Sequence, residues 1–318
     1  MAQAATAITT PSVILGANVF GWNVDAKASH GLLDAALERG LNCIDTADVY
    51  SHWATGNKGG ESETIIGQWM KDRGVRNRVL VHTKGGAPGA PGDLAGANLS
   101  AAYLTKAVDA SLKRLGTGYI DLYYVHYDDK VTPPEETLGC FQRLIVAGKI
   151  RAIGASNYAP GRLAQALEVS EKHGLPRFAC LQTLYNLYDR APFEAELQPL
   201  CAKWNLGVMS YFSLAKGFLT GKYRTAADGA KSEARGSDAT AYLNPRGLRI
   251  LAALDSIAAT HKANCAEVAL AWLAAKPGVQ AAIASATSIG QLDDLAAAMR
   301  LKLTASDMAA LDVASRQG

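Results

Sequence analysis

Short, densely apolar runs alternate with longer amphipathic segments along almost the whole of this chain, and no other feature limits its fold so much. The runs are VILGAN (13–18), NCIDT (42–46), RVLVHTK (78–84), YIDLYYVH (119–126), IRAIGAS (150–156), FACLQT (178–183), GVMSY (207–211) and VQAAIAS (279–285). Successive side chains of a strand point to opposite faces, so a run that is apolar at nearly every position suits a strand covered on both sides, as in a parallel sheet. Between the runs, ASHGLLDAALERG (28–40) places Leu32, Leu33, Ala36 and Leu37 on one stripe and stops at Gly40. The segment SAAYLTKAVDASLKRLG (100–116) starts at a Ser100 N-cap and ends at Gly116. Comparable helical patterns occupy 135–148, 160–174, 192–206, 246–262 and 288–300. About eight strands alternating with about eight helices predict an α/β fold, a (β/α)8 TIM barrel in a single domain over 1–318. A doubly wound open sheet is the structural alternative.

Composition narrows the function classes. Hydrophobic residues at 49% and charged residues at 19% fit a folded enzyme and exclude a disordered chain. A net charge of +3 calls for no strongly charged partner, so nucleic acid is not expected. The five cysteines, Cys43, Cys140, Cys180, Cys201 and Cys265, form no C-x-x-C pair and read as reduced thiols of a cytoplasmic protein. The opening residues lack a basic segment followed by a long apolar run, and no stretch approaches the roughly 18 apolar residues of a membrane span. The expected partner is a small-molecule substrate; nothing in the pattern fixes an oligomeric state.

Several chemistries are missing from the sequence. The G-x-G at Gly116–Gly118 meets Asp121 where a dinucleotide fingerprint needs its last glycine. Gly221-Lys222 is followed by Tyr223, which breaks a phosphate-binding loop, and GASNY (154–158) lacks the closing glycine of a nucleophile elbow. The six histidines show no metal-ligand spacing.

What remains is a set of polar groups at consecutive strand ends. Asp45 and Tyr50 follow the second run, Lys84 ends the third and His126 ends the fourth. Singly, each has an ordinary structural explanation: a helix cap, a loop tyrosine, a solvated terminus, a core histidine. In a barrel, however, strand ends converge on one mouth, where the four can meet. A phenol with a pKa of about 10 is a poor acid at neutral pH. A lysine ammonium beside it favours the phenolate, and an aspartate favours the charged lysine. Lys84 with Asp45 is therefore expected to bring Tyr50 toward the working pH as a general acid, while His126 bonds a carbonyl oxygen.

The chain resembles the aldo-keto reductase superfamily through NCIDTADVY (42–50), GGESETIIG (59–67), VLVHTKGG (79–86), IDLYYVHYDD (120–129), IGASNY (153–158), LQTLYNLYDR (181–190) and SYFSLAKGFLTGKYR (210–224). These stretches span nearly the whole chain in family order. The resemblance implies a catalytic tetrad of Asp45, Tyr50, Lys84 and His126, and NADPH-dependent reduction of aldehydes and ketones. It assigns Ser156, Asn157 and Gln182 to the nicotinamide carboxamide and Tyr211 to stacking on the nicotinamide ring. After this aromatic the family commonly has a Ser-Pro-Leu run, for which this chain has Phe212-Ser213-Leu214, cofactor-side positions by the resemblance. Leu214, Lys216, Lys222 and Arg235 fall in a long segment that the family folds over the pyrophosphate. Gly16 and Asn18 lie toward the nicotinamide half.

In ASATSIGQLDDL (284–295), where the family reads the adenosine 2′-phosphate, this chain offers Ser285, Thr287 and Gln291 without a cation, and Asp294 would repel a phosphate. NADP(H) is the first expectation and NAD(H) the alternative. Trp22, Trp53 and Tyr127, with His52 and residues 240–244, are expected to wall the substrate pocket. A dehydrogenase working mainly in the oxidative direction on a sugar, pyridoxal-like or secondary alcohol uses the same residues. A nicotinamide-sensing regulatory subunit is the third reading.

Overall fold

All eight apolar runs form strands, each covered on both faces as the sequence predicts. The structure, a computed structural model, describes residues 9–89 and 97–317. The strands are β1 (Val13–Gly16), β2 (Cys43–Asp45), β3 (Leu80–Gly85), β4 (Ile120–Val125), β5 (Ile150–Ser156), β6 (Cys180–Leu184), β7 (Gly207–Tyr211) and β8 (Val279–Ala284). Each pairs in parallel with its sequence neighbour, and β1 pairs with β8, so the sheet closes into a barrel. Closure excludes the open-sheet alternative.

Alternating side chains of these strands build two cores. Ile14, Cys43, Leu122, Tyr124, Ala152, Cys180, Met209, Ala281 and Ile283 fill the barrel. Their neighbours Val13, Leu15, Ile44, Val81, Tyr123 and Val125 face outward into a second core shared with the helices. The strands read as unbroken apolar runs because both sides are buried.

The helices are α1 (Ala26–Glu38), α2 (Glu61–Arg73), α3 (Ala101–Leu115), α4 (Pro134–Val146), α5 (Pro160–His173), α6 (Gln198–Trp204), α7 (Gly236–Thr240), α8 (Pro245–His261), α9 (Cys265–Ala275), α10 (Ile289–Ala298) and α11 (Ala305–Ser315). Seven match the predicted patterns, with a wider, π-type turn at Phe193–Leu197 leading into α6. Three full helices, α2, α9 and α11, exceed the prediction. Helix α9 is buried on nearly every side, so it carries no amphipathic stripe to read. Helix α11 is announced by a capping box at Thr304 and Asp307. The segment 50–63 runs as a loop only to Gly60, where α2 begins, and 214–247 contains short helical turns at Ala215–Thr220 and Ala226–Lys231 besides α7. Among the described residues no helix is long and apolar enough to cross a membrane.

Candidate active site

Asp45 ends β2 and Lys84 is the penultimate residue of β3, so strand pairing sets both at the C-terminal mouth of the barrel. The chain then arches from Asp45 to Tyr50. The Asp48 N–H donates to the Lys84 carbonyl at 3.0 Å and the Tyr50 N–H to the Ala47 carbonyl at 3.2 Å. His126 follows β4, with its N–H on the Gly85 carbonyl at 2.9 Å.

The tetrad residues meet. Lys84, 1% exposed, spends its three protons on Asp45 Oδ1 at 2.6 Å, the Thr46 carbonyl at 2.7 Å and the Tyr50 hydroxyl at 2.9 Å. Asp45 Oδ2 accepts from Gln182 Nε2 at 2.8 Å. Tyr50's own proton reaches only a long 3.5 Å contact to Asp45 Oδ1. The His126 ring stands edge-on to Tyr50, centroids 6.2 Å apart. The hydroxyl of Tyr50 thus accepts a strong, charge-assisted bond while its proton is nearly free for a group in the pocket.

The electrostatics differ in part from expectation. Burial raises the Tyr50 phenol above its ordinary value, and the pull of the Lys84 ammonium toward the phenolate does not overcome it. Burial also works against the charged Lys84, but Asp45 and Tyr50 outweigh it and hold the lysine above its usual range. His126 is driven well below the ordinary histidine range by burial and then by Lys84. The site at neutral pH is a neutral phenol, a neutral imidazole and one ammonium–carboxylate pair.

Around this cluster, Asn157 adopts a left-handed backbone at φ 53°. Its amide donates to the His126 carbonyl at 2.9 Å and to Ser156 Oγ at 3.1 Å, and its oxygen accepts from the Tyr211 hydroxyl at 2.9 Å. Asn157 is therefore occupied by the protein itself, whereas the buried Ser156 hydroxyl accepts and keeps its own proton. Across the mouth, Ser285 Oγ donates to Asn18 at 2.5 Å. Gly16 makes that wall close: a Cβ there would sit 2.7 Å from Ser285 Oγ and 3.2 Å from Ile283. Phe212 is at φ 48° with its carbonyl on Asn186, and Ser213 is consumed in the turn by Ser210.

Leu214 packs on the outer core. Lys216 pairs with Asp238 at 2.9 Å, and the exposed Lys222 stands 5.0 Å over the Tyr223 ring. Arg235 lies between aromatic rings, 5.0 Å from Trp22 and 5.6 Å from Phe212. At the start of α10, Thr287 donates to Gln291 Oε1 from both its N–H and its hydroxyl, and Asp294 accepts from Asn264.

Trp53 joins the expected wall residues, edge-on to Trp22 at 5.5 Å, to Tyr50 at 6.0 Å and to His52 at 5.2 Å. Tyr127 lies 5.1 Å from His126. Within 240–244, Tyr242 packs on Phe218 and Tyr188 and bonds Asp189. An open groove of about 680 Å³ runs outside Trp22, along Asn57, Glu61 and Thr64, and none of the four tetrad residues lines it. The Thr46 carbonyl was not foreseen, since a backbone acceptor leaves no trace in residue type. Neither was Asp48, whose signal is its place in the same IDTAD motif.

The aldo/keto reductase family model matches residues 12–316. An oxidoreductase of Bacillus subtilis (strain 168), YrpG, described as uncharacterised, is 32% identical over 94% of this chain and 90% of its own length. The aldo-keto reductase YhdN of the same organism is 33% identical over 88% of this chain and 81% of its own. A probable voltage-gated potassium channel subunit beta of Oryza sativa subsp. japonica is 33% identical over 86% and 82%. With a closed parallel barrel and a match along almost its whole length, the chain belongs to the aldo/keto reductase family of oxidoreductases.

Proposed function

We propose that this protein reduces aldehydes and ketones to alcohols with a nicotinamide cofactor, Tyr50 acting as the general acid. The observation that carries the reading is the Lys84 ammonium bonded at once to Asp45 and to the Tyr50 hydroxyl, which leaves the phenol proton almost without a competing acceptor.

The residues present fit such a cofactor. The Tyr211 ring is half-buried at the mouth and fixed through Asn157. Ser156 retains a donor beside it, and His126 Nδ1 is buried with no partner among the described residues. Tyr211 would hold the flat ring, Ser156 and Gln182 its amide, and Lys216, Lys222 and Arg235 the phosphates. When bound, the reduced nicotinamide supplies the hydride. Tyr50 gives its proton to the substrate oxygen, and the Lys84 ammonium stabilises the negative charge this leaves on the phenol. Neutral His126 donates a hydrogen bond to the same oxygen and orients the carbonyl. Trp22, Trp53 and Tyr127 offer an aromatic wall to an apolar substrate.

NADP(H) is the first choice, in keeping with the family resemblance. NAD(H) is the alternative because residues 284–295 carry no cation and nearby Arg39 is paired with Asp293 at 2.7 Å.

The test is a screen of carbonyls and alcohols with both cofactors, following nicotinamide absorbance. Turnover of carbonyls is expected, with Tyr50→Phe lowering kcat by about 10²–10⁴-fold while cofactor binding stays within a few-fold. Undiminished turnover in that variant would remove Tyr50 from its role. Tight cofactor binding without turnover on the whole panel would favour the regulatory reading instead.

A further inference from the structure

Two aspartates stand three residues apart in IDTAD, and the structure treats them in opposite ways. Asp45 has a lysine and an amide for its two oxygens. Asp48 is equally buried at 1% exposure, yet neither of its oxygens has a hydrogen-bond partner among the described residues. It lies on the outer side of the barrel wall. A Cβ built on Gly85, the residue after Lys84, would strike the Tyr123 hydroxyl and come within 3.2 Å of Asp48 Oδ2, so both side chains close over that glycine. The Tyr123 hydroxyl is unpartnered as well.

Two donors of the neighbouring elements, Thr83 and Arg114, are spent on Glu63 instead. Glu63, fully buried in α2, accepts from Thr83 Oγ1 at 2.6 Å and is paired with Arg114 Nε at 2.6 Å. A carboxyl shut away from water and set beside a second carboxylate is more stable with its proton than without it. We propose that Asp48 is a neutral carboxylic acid at physiological pH and a positioning residue for the reaction, fixing the arch on which Tyr50 stands. Its backbone N–H already holds the Lys84 carbonyl. Its side chain, seated against Tyr123 and Gly85, pins the same residue from the other end. Ionised, it would set a second anion against buried Glu63 in a wall without water, and that repulsion would work against the arch.

The groups facing Asp48 are Glu63 from α2, Tyr103 and Arg114 from α3, Lys84 from β3 and Tyr123 from β4. Burial, then Glu63, push its carboxyl up to about 8, against the pull of Arg114, the Val49 N–H and Lys84. The folded chain therefore keeps a proton that the unfolded chain releases near pH 4. Stability conferred by this group falls as pH rises through that interval to about 8.

The experiment begins with wild-type, ligand-free protein carrying 13C-labelled aspartate carboxyls, titrated by NMR. One aspartate is expected to remain protonated at pH 7, to ionise in the alkaline range and to vanish in Asp48→Asn. The melting temperature of Asp48→Asn relative to wild type is expected to rise by about 3 °C or more between pH 6 and pH 9, because the amide does not titrate. In turnover, the alkaline limb of wild-type kcat moves up by about one pH unit or more in the variant; the phenol of Tyr50, raised above its ordinary value, ionises later. If every aspartate is ionised at pH 7, Asp48 is a solvated carboxylate and the proposal falls. An unmoved alkaline limb overturns the positioning role, which rests on the reductase reading. Because the resonance is read without ligand, a chain that titrates as expected but turns over no carbonyl refutes the reductase reading and leaves the neutral Asp48 standing.

Discussion

The arch from Asp45 to Tyr50 and the long segment 214–247 leave the same end of the barrel, yet they are held by different physics. The arch hangs on an ion pair whose partners are each 1% exposed, with every lysine proton used. The long segment is fastened by pairs such as Lys216–Asp238, whose side chains are 30% and 47% exposed, and by Arg235 between two rings. A buried pair is costly to break because the survivor is left charged and dry, whereas a surface pair is screened and contributes little. The difference separates two tasks. Under the proposed function, groups that move a proton need fixed geometry, and a segment that admits and releases a large cofactor needs ties that open at small cost.

That contrast makes graded predictions. Replacing Lys84 by Met strands Asp45 in the wall. We expect a loss of about 3–5 kcal/mol in stability by denaturant unfolding, with carbonyl turnover reduced at least as far as in Tyr50→Phe. A Lys84→Met protein as stable as wild type would show that the arch is held by packing rather than by charge.

Arg235→Ala probes the other side. Losing the bridge from Trp22 to Phe212 should weaken cofactor binding about two- to fivefold in a fluorescence titration, corresponding to about 0.5–1 kcal/mol, with kcat little changed. A fall in kcat as large as that of a tetrad variant would erase the proposed division between the two regions. Lys216→Ala should matter least, with a change of about 1 kcal/mol or less and a melting temperature within about 4 °C of wild type.

The sequence made the strands plain because each is buried on both sides, and the helices plain where one face is wet. Helix α9 escaped because it has no wet face. Helix α2 begins inside a stretch whose glycines and polar residues read as loop, although Ile65, Ile66, Trp69 and Met70 carry a helical spacing. The tetrad could be expected from residue types at strand ends, since barrel geometry brings those ends together. The direction of the Tyr50 shift could not, because it depends on how much water reaches the hydroxyl, and burial there outweighs the ammonium. Arg235 was legible as a cation but not as one seated between two rings, a placement made by a loop far from Trp22 in sequence. Asp48 looked like any polar loop residue, and only the folded wall reveals how completely water is kept from it.

Barrel closure also sets an order in time. Asp45, Tyr50, Lys84 and His126 all come from the first four strands and their loops, so the chain holds all four residues well before its last strand is made. The wall formed by Asn18 and Ser285 joins residues 267 positions apart. It waits for β8, and until β8 arrives β1 has a bare edge where Ala282 and Ile283 will pair. On a growing chain the four tetrad residues are therefore made early, whereas Gln182, which holds Asp45, comes with β6 and the opposite wall of the mouth only with β8. A product truncated before β8 carries all four residues without the closed barrel that buries them.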